Sequence, residues 1–293
     1  MSPPTDPFAA ARTFLHREGR LVERRLFATV FEGAGPSGVV DAVRAFRNAD
    51  GGFGHGLEPD KRCPASLPID VEAAFDALLA AGPAAVAEAG PLISAACDWL
   101  GSVAAPAGAV PLSFPVAEAY PRAEHWSEWT YTPGLNPTAG LAGRLHRMGF
   151  AHPWLARATE WCFARLEAGF DEDAHSLREV AAFLAAVPDR ERAARVGASF
   201  GRWLAGAAWY RPDPEDPDYG MTPLDFAPEP DGPWSALFPA GLIEAHLDRL
   251  ARHQQPDGGW AITWEPPGTA ATLEWRGIMT LWALRVLRAY HRL

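Results

Sequence analysis

The tetrapeptide Asp-Gly-Gly-aromatic occurs twice in this sequence, with Phe in the copy at residues 50–53 and Trp in the copy at 257–260. Each copy follows a stretch whose apolar residues recur at helical spacing, 39–46 before the first and 242–250 before the second. Glycine permits the left-handed backbone that ends a helix, and the Asp side chain can bond backbone groups in the turn. The ring is then placed to pack back on the helix. Two such units predict an architecture of repeated helices and turns.

Helical periodicity runs through most of the 293 residues, and almost nothing alternates in the manner of a β-strand. Proline and glycine stand at nearly every junction between the periodic stretches. The pattern predicts an all-α protein of about eleven helices, or five to six hairpins. The predicted helices cover residues 8–17, 21–31, 37–46, 69–81, 91–103, 138–148, 153–168, 174–187, 190–205, 240–253 and 273–290. Because no linker divides the chain, residues 1–293 are expected to form a single domain.

Two long stretches, 104–135 and 209–239, lack a helical pattern and are rich in proline, acidic residues and aromatics. Loops of this length in a compact domain are usually functional lids or walls. The predicted helices alternate between two kinds, one rich in apolar or small residues and one with charge on a single face. Such alternation favours two concentric rings, with inner helices covered on both sides and outer helices facing water. An open helical solenoid would alternate too, although two long loops are unusual for one.

The second turn motif, together with Gln254 and Gln255 before it, resembles the Gln-and-Trp repeat of the terpenoid cyclase and protein prenyltransferase superfamily. The first copy departs from that repeat, with Arg47 and Asn48 where Gln is expected and Phe53 in place of Trp. The resemblance implies an α/α toroid, a double ring of about 5–6 helical hairpins around an apolar central cavity. It also implies an apolar small molecule or isoprenoid as the ligand. The chain is similar to a group of bacterial proteins of this kind, which implies no activity by itself.

Composition limits the partners and the setting of the protein. There are 26 Lys and Arg against 36 Asp and Glu, and this net charge of -10 disfavours a nucleic acid or an anionic membrane. Lys61 is the only lysine. Three scattered cysteines do not make a disulfide framework, and neither a secretion signal nor a transmembrane stretch is apparent, which predicts a cytoplasmic protein. The twelve tryptophans either line an apolar cavity or fill the spaces between helices.

An acidic cluster that includes Asp171 and Asp173 precedes the predicted helix at 174. Proton-initiated cyclases of the superfamily carry an Asp-x-Asp-Asp motif, whose middle Asp protonates an alkene. The resemblance therefore implies Asp171 or Asp173 as the catalytic acid. Ala174 stands where the closing Asp belongs, however, so that His175 would have to assist. The alternative is structural, because carboxylates at a helix start are favoured by its dipole and cap its free amides.

The loop after the first turn motif, residues 55–63, reads His-Gly-Leu-Glu-Pro-Asp-Lys-Arg-Cys and is too particular in composition for a filler loop. We expect it at the mouth of the cavity, with three side chains that contact the substrate: His55, Glu58 and Asp60. Protein prenyltransferases bind zinc through Asp, Cys and a distant His, so the resemblance implies Asp60, Cys63 and His175 as candidate ligands, although the Asp-to-Cys spacing differs. The alternative is an ordered loop in which the carboxylates bond turn amides and Cys63 is simply buried.

Glu274 lies near the start of the last predicted helix, in an otherwise apolar region. A carboxyl near an apolar cavity has a raised pKa and can act as a general acid, whereas capping or pairing within the helix start is the alternative. The rings of Trp126 and Trp129 in the first long loop would stabilise cationic intermediates through their π faces. Further candidates for substrate contact are Asp225, Trp275 and Arg276.

Several motifs of other enzyme classes are absent from the sequence. There is no P-loop and no H-E-x-x-H, and no Asp-Asp-x-x-Asp set that would hold magnesium for diphosphate ionisation. No cofactor is therefore expected, with zinc or magnesium as the alternatives. Two functions stay open: acid-initiated cyclisation or isomerisation of an isoprenoid, and a non-catalytic toroid that binds a lipid or a protein. A zinc-dependent enzyme like the prenyltransferases is a third.

Overall fold

The computed structural model describes residues 6–169 and 173–293. Within those two ranges every regular element is helical, and β-type pairing is limited to isolated bridges. The helices are α1 (Pro7–Glu18), α2 (Leu21–Phe31), α3 (Ser37–Arg44), α4 (Pro68–Ala81), α5 (Pro83–Glu88), α6 (Gly90–Val103), α7 (Leu135–Met148), α8 (Pro153–Glu167), α9 (Ala174–Ala186), α10 (Arg190–Gly197), α11 (Phe200–Ala205), α12 (Pro223–Phe226), α13 (Ala240–Arg252) and α14 (Thr269–Ala289). Short 3₁₀ helices lie at Pro115–Ala119, Glu128–Tyr131 and Ser235–Leu237. The predicted all-α class is confirmed.

The helix bounds depart from the prediction where a segment is short or its helix propensity is low. The predicted helix at 190–205 is two helices, α10 and α11, which a turn containing Ser199 separates. Glycine and serine have low helix propensity, which accounts for a break next to Gly197. Helices α5 and α12 were not predicted, because six and four residues are too few to show a helical period. Both begin with proline, whose fixed φ suits the first helical position.

The two Asp-Gly-Gly turns have the same backbone geometry. The first glycine of each motif has a positive φ, 96° at Gly51 and 94° at Gly258. The aspartate accepts a hydrogen bond from the amide of the second glycine, at 3.0 Å for Asp50 and 3.1 Å for Asp257. A left-handed backbone of this kind favours glycine, since other side chains are strained there. The predicted turn construction is therefore present in both copies.

The second turn also ties helix ends together. The Trp260 indole donates to the carbonyl of Leu250 at 2.8 Å, so the ring packs back on α13 as predicted. The side-chain amide of Gln254 donates to the carbonyl of Pro7 at 2.7 Å and to that of Gly258 at 2.9 Å. These bonds join the end of α13 to the start of α1, 247 residues away in the sequence.

The helices pack in series: α2 against α4, α4 against α7, α7 against α9, α9 against α12, α12 against α13, and α13 against α14. Helix α14 in turn packs against α1 and α2. Helix α7 is covered on several sides, since α4, α8 and α9 all contact it. Among the described helices, none has the length and apolar character needed to cross a membrane.

The first long stretch, between α6 and α7, lies over the loop at 55–63. The amide of Arg62 donates to the carbonyl of Pro121 at 2.8 Å, and the amide of Ala123 donates to the carbonyl of Asp60 at 2.7 Å. These backbone bonds place the side chains of the two loops against each other. The loop at 55–63 is thereby covered by the chain that follows α6.

Candidate functional site

Lys61, the only lysine of the chain, is fully buried at 0% exposure. Its Nζ lies 2.7 Å from Glu58 Oε2 and 3.2 Å from Asp70 Oδ2. The ammonium also lies 5.1 Å from the centroid of the Trp126 ring, within the range of a cation–π interaction. A charge buried in protein is tolerated only when it is paired. Lys61 therefore organises two carboxyl groups and an indole ring into one cluster, which we call the Lys61 cluster.

Local structure explains how these side chains meet. Glu58 and Lys61 are three residues apart in one loop, and Asp70 lies in the first turn of α4. The backbone amide of Glu58 donates to Asp70 Oδ1 at 2.9 Å, which fixes the loop on the helix start. An acidic residue is favoured there because the helix N-terminus carries partial positive charge.

The Lys61 cluster has two buried carboxyls for one ammonium. Burial raises the pKa of Glu58 to about 7, although the charge of Lys61 opposes the shift. Burial also raises the pKa of Asp70, again against the effect of Lys61. For Lys61 burial alone would lower the pKa, but Asp70 and Glu58 together outweigh it, and the pKa is raised. Near neutral pH the lysine is therefore charged and Glu58 exchanges a proton, with 10% of its side chain exposed.

Asp60 joins this loop to α14. Its Oδ1 accepts hydrogen bonds from two indoles, Trp275 Nε1 at 2.6 Å and Trp264 Nε1 at 3.2 Å. The two indole rings meet edge to face, with centroids 5.0 Å apart. The other carboxylate oxygen lies 3.3 Å from His125 Nε2. Asp60 thus orders the rings of Trp264 and Trp275, which we call the aromatic wall, beside the Lys61 cluster.

A salt bridge and a side-chain hydrogen bond bring two further helices to the same loop. Arg62 pairs with Glu274 in α14 at 2.8 Å. Arg20, directly before α2, makes a two-pronged pair with Glu23 and also donates to the carbonyl of Leu57 at 2.8 Å. The starts of α2, α4 and α14 therefore meet the loop at 55–63 at one place in the molecule.

A histidine at the start of α9 meets a tyrosine from the stretch between α11 and α12. His175 Nε2 lies 2.7 Å from the Tyr219 hydroxyl, and the two rings are stacked with centroids 5.5 Å apart. The Tyr219 ring in turn meets the Trp264 ring edge to face at 5.7 Å. Because the Trp264 indole donates to Asp60, the histidine and tyrosine adjoin the aromatic wall.

Asp173 caps α9, as the structural alternative for the acidic cluster predicts. Its Oδ1 accepts from the backbone amides of His175 at 2.9 Å and Ser176 at 3.0 Å. Burial would raise the pKa of Asp173, but the hydrogen bonds and charge of His175 and the Ser176 amide outweigh it and the pKa is lowered. A carboxyl with a lowered pKa is ionised at neutral pH, which favours Glu58 over Asp173 as a proton donor. Asp171 lies outside the described residues.

The structure brings together about half of the candidate residues. Those in or beside the Lys61 cluster and its aromatic wall are Glu58, Asp60, Trp126, His175, Glu274 and Trp275. Others have local partners. Arg276 pairs with Asp257 of the second turn motif at 2.7 Å, and Asp225 forms a capping box with Thr222 at the start of α12.

Two more candidates lie at the edge of this region. The His55 ring, which is exposed, lies 2.9 Å from Asn48 Oδ1 in the first turn motif. Trp129 is 56% exposed, and its indole donates to the carbonyl of His125 at 2.7 Å. The His125 side chain is the one that approaches Asp60, so Trp129 supports the site through the backbone of a neighbour.

The candidate zinc ligands were also located. Cys63 packs in a small apolar cluster with Leu67 and Ala117, and burial raises the pKa of its thiol. Asp60 is engaged by indoles and His175 by Tyr219. In the part of the chain that the structure describes, no group of three or more His, Cys, Asp or Glu side chains is arranged to hold a metal ion.

Sequence reasoning missed four members of the site: Lys61, Asp70, Trp264 and Tyr219. For Lys61 the available signal was that it is the only lysine of the chain. Asp70 gave no signal, because its pairing with Lys61 is a tertiary contact. Trp264 and Tyr219 gave none, because their partners are distant in the sequence. Trp264 and Asp60 are 204 residues apart, and Tyr219 and His175 are 44 apart.

The helices at the centre of the packing series meet through charged groups. Arg144 of α7 lies 2.6 Å from both Glu72 of α4 and Glu179 of α9, and its Nε donates to Asp76 at 2.7 Å. Gly140, one turn earlier in α7, leaves room for this cluster. Buried ion pairs therefore contribute to the contacts between α4, α7 and α9.

Two concavities occur elsewhere on the described surface. One, of about 530 Å³, is lined by residues of the second turn motif, including Asp257, and by Arg276. The other, of about 280 Å³, lies between α9, α10 and the Trp234 ring. Neither is lined by the Lys61 cluster.

Residues 197–201 read Gly-Ala-Ser-Phe-Gly, which matches the G-x-S-x-G pattern of serine hydrolases. That pattern is meaningful where the serine stands on a strand-to-helix turn. Ser199 lies instead between α10 and α11, and its hydroxyl accepts from Arg202 at 2.8 Å. The match therefore does not indicate a nucleophile.

Comparison with models of known protein families and with curated protein sequences finds no match. Function must therefore be inferred from the site itself. Its chemical content is a buried carboxyl that titrates near neutral pH, a buried ammonium, and a wall of aromatic rings. Such an arrangement can transfer protons and stabilise positive charge.

Proposed function

We propose that this protein is a single-domain α/α toroid that catalyses a proton-initiated isomerisation or cyclisation of an isoprenoid, with Glu58 as the proton donor. The observation that carries the proposal is the Lys61 cluster, in which the Glu58 carboxyl has a pKa of about 7 and pairs with Lys61. The Lys61 ammonium faces the Trp126 ring, and the neighbouring Asp60 binds the indoles of Trp264 and Trp275. Groups that titrate near the working pH are efficient in general acid–base catalysis.

The packing series supports the toroid. Its helices follow one another from α2 to α14, and α14 packs again on α2. The starts of α2, α4, α9 and α14 lie around one loop, as they would if inner helices of a ring ran in the same direction. The Gln254 side chain ties helix ends in the way that the resemblance to the terpenoid cyclase superfamily implies.

In the proposed reaction the Glu58 carboxyl donates its proton to one carbon of a double bond. The π electron pair forms the new C–H bond, and positive charge develops on the adjacent carbon. The indole faces stabilise that cation, and the ammonium of Lys61 stabilises the carboxylate that remains on Glu58. A carboxyl with a pKa near 7 is present in its protonated form at neutral pH, so that the donor is available to start either reaction.

A non-catalytic binding protein is the second candidate. The observation that favours it is the extent to which the polar groups are already paired. Asp60 is bonded to two indoles and faces His125, and Lys61 is held between Glu58 and Asp70. A buried network whose charged groups are paired can serve to fix the structure, although Trp126 Nε1 in this cluster has no hydrogen-bond partner among the described residues. In that case the aromatic wall would hold an apolar ligand without changing it.

Deuterium exchange separates the two functions. The purified protein is incubated in D2O with farnesyl, geranylgeranyl and longer polyprenyl substrates, with magnesium, zinc or neither. An isomerase incorporates solvent deuterium into carbon positions, which mass spectrometry detects even where the skeleton is unchanged. We expect incorporation by the wild type and a loss of two or more orders of magnitude in Glu58→Gln, typical of the removal of a general acid.

The matched control is Glu88→Gln, since Glu88 is exposed at the end of α5 and accepts a hydrogen bond from the Ser37 hydroxyl. This variant should incorporate deuterium at the wild-type rate. Incorporation that survives in Glu58→Gln would remove Glu58 as the donor. Binding of a polyprenyl compound without any incorporation would favour the non-catalytic protein.

A further inference from the structure

Asp173, His175 and Tyr219 form a connected series at the start of α9. Asp173 Oδ1 lies 3.4 Å from His175 Nδ1, and His175 Nε2 lies 2.7 Å from the Tyr219 hydroxyl. A carboxylate that orients an imidazole, which in turn contacts a hydroxyl, is the arrangement by which proteins activate weakly acidic groups. The Glu58 chemistry proposed above uses none of these three residues.

A different segment of the chain holds the Tyr219 ring against the aromatic wall. It lies in the long stretch between α11 and α12, where the amide of Met221 donates to the carbonyl of Trp209 at 2.7 Å. Its ring meets those of Trp209 at 6.1 Å and Trp264 at 5.7 Å, both edge to face. Trp264 also bonds Asp60, so the Tyr219 hydroxyl and the Lys61 cluster flank a shared group of aromatic rings.

We infer that Tyr219 is the second proton-transfer residue of this site, with His175 as its proton acceptor and Asp173 as the residue that positions the imidazole. The inference rests on the proposed function, because an isomerisation that adds one proton must remove another. Glu58 and Tyr219 would perform these two steps.

In the proposed second step a C–H bond beside the cation breaks, and its electron pair forms the new double bond. The released proton goes to the Tyr219 oxygen while the phenolic proton passes to His175 Nε2. The imidazolium then loses its proton to water, and the Glu58 carboxylate regains one from water.

The surroundings keep Tyr219 protonated until that step. Burial raises its pKa to about 12, with the nearby charge of Arg178 opposing and those of Asp60, Asp225 and Asp173 adding to the shift. A neutral phenol at pH 7 can receive a proton only as it releases its own. This mechanism therefore requires that His175 Nε2 be unprotonated and that its proton reside on Nδ1, toward Asp173.

Nitrogen NMR of the histidine side chains tests this requirement without a substrate. The chain has nine histidines, and His175→Gln identifies the signals of His175. We expect the Nδ1–H tautomer in the wild type at pH 7.5. In Tyr219→Phe the hydrogen bond to Nε2 is lost, and we expect a shift of the tautomer population toward Nε2–H. Tyr290→Phe is the control, because its hydroxyl bonds the distant carbonyl of Ala227 and should leave His175 unchanged.

The outcomes separate this inference from the proposed function. An Nε2–H tautomer in the wild type, or His175 signals that do not change in Tyr219→Phe, overturns the relay whatever the substrate scan gives. In the deuterium assay Tyr219→Phe should lower incorporation by about 100-fold relative to Tyr290→Phe. If the NMR spectra of the wild type support the relay but Tyr219→Phe incorporates deuterium at the wild-type rate, Tyr219 has no role in proton transfer.

If the wild type itself incorporates no deuterium, that result counts against the proposed function. The NMR measurement alone then shows whether Asp173, His175 and Tyr219 form the relay.

Discussion

A lysine with no exposed surface needs negative charge beside it, and Lys61 has two carboxyls within 3.2 Å. If both Glu58 and Asp70 were ionised, the buried group would carry a net negative charge, which is costly away from water. Retention of one proton near neutral pH relieves that cost. The raised pKa of Glu58 therefore follows from the burial of two carboxyls with a single ammonium.

Removal of the ammonium tests this charge balance. In Lys61→Met the two carboxyls lose their buried partner, and we expect a loss of about 3–5 kcal/mol in the free energy of unfolding at pH 7. Urea denaturation measures it. Arg195→Met is the control, because Arg195 and its partner Glu191 are exposed and such pairs contribute little. A loss no larger than that of the control would show that Lys61 is not needed to balance the cluster.

The raised pKa of Glu58 also predicts a pH dependence of stability. The carboxyl titrates near 7 in the folded state and near 4.5 when unfolded, so the folded protein binds more protons between these values. Its contribution to stability is complete below about pH 4.5 and is lost as the pH rises through 7. From pH 5 to pH 7.5 the free energy of unfolding should fall by roughly 2 kcal/mol more in the wild type than in Glu58→Gln. Urea denaturation at the two pH values gives the change in the free energy of unfolding for each protein. An equal change in the wild type and in Glu58→Gln would contradict the raised pKa of Glu58.

At the scale of helices, α7 depends on a position without a side chain. A β-carbon on Gly140 would overlap Glu179 Oε2 and Glu72 Oε1, the two carboxylates that Arg144 holds between α4 and α9. Helix propensity alone would favour alanine over glycine. Packing of the charged groups opposes alanine here, because the side chains of Glu72, Arg144 and Glu179 are buried and held together by ion pairs.

Gly140→Ala should therefore lower the free energy of unfolding by about 1–3 kcal/mol, as overpacking of a filled core does. Gly101→Ala in α6 is the matched control. A β-carbon there would lie 3.6 Å from Trp154 Cβ, an ordinary contact, so the variant should be neutral or gain up to about 1 kcal/mol. Thermal and urea denaturation of the two variants give the comparison. A stabilised Gly140→Ala variant would show that the charged cluster is not tightly packed.

The helices were largely predictable from the sequence, whereas contacts between distant segments were not. Helix α2 begins and ends where its apolar period and flanking residues predict, at Leu21 and Phe31. Both Asp-Gly-Gly turns were predictable because their geometry is determined by neighbouring residues. Asp70 gave no signal, since an acidic residue in a first helical turn is ordinary and its pairing with Lys61 is tertiary.

In the candidate site, too, local features were predictable from the sequence and contacts between distant segments were not. The composition of the loop at 55–63 predicts functional side chains, and its Glu58 lies in the Lys61 cluster while its Asp60 binds the aromatic wall beside it. The bonds from Trp264 and Trp275 to Asp60 join segments more than 200 residues apart, which no local period can reveal. The single acidic motif with a family counterpart, at 171–173, favoured Asp173 as the acid. In the structure Asp173 caps α9 with a lowered pKa.

At the scale of the whole molecule, segments from most of the chain meet where four helices begin. The loop at 55–63, the chain after α6, the stretch before α12 and the start of α14 each contribute side chains to the site. Helix N-termini directed at one place add partial positive charge, which helps to hold the carboxylates of Asp70 and Asp173. The protein as a whole thereby positions a buried acid, an ammonium and several aromatic rings together.

The central claim is that Glu58 holds a transferable proton at neutral pH, and its carboxyl titration tests that claim without knowledge of the substrate. Protein labelled with ¹³C at the glutamate carboxyl carbon is titrated by NMR, and the signal missing from Glu58→Gln identifies Glu58. We predict a titration midpoint near pH 7. A midpoint near the ordinary value of about 4.5 for glutamate would show that Glu58 is ionised at neutral pH, and would contradict its role as the proton donor.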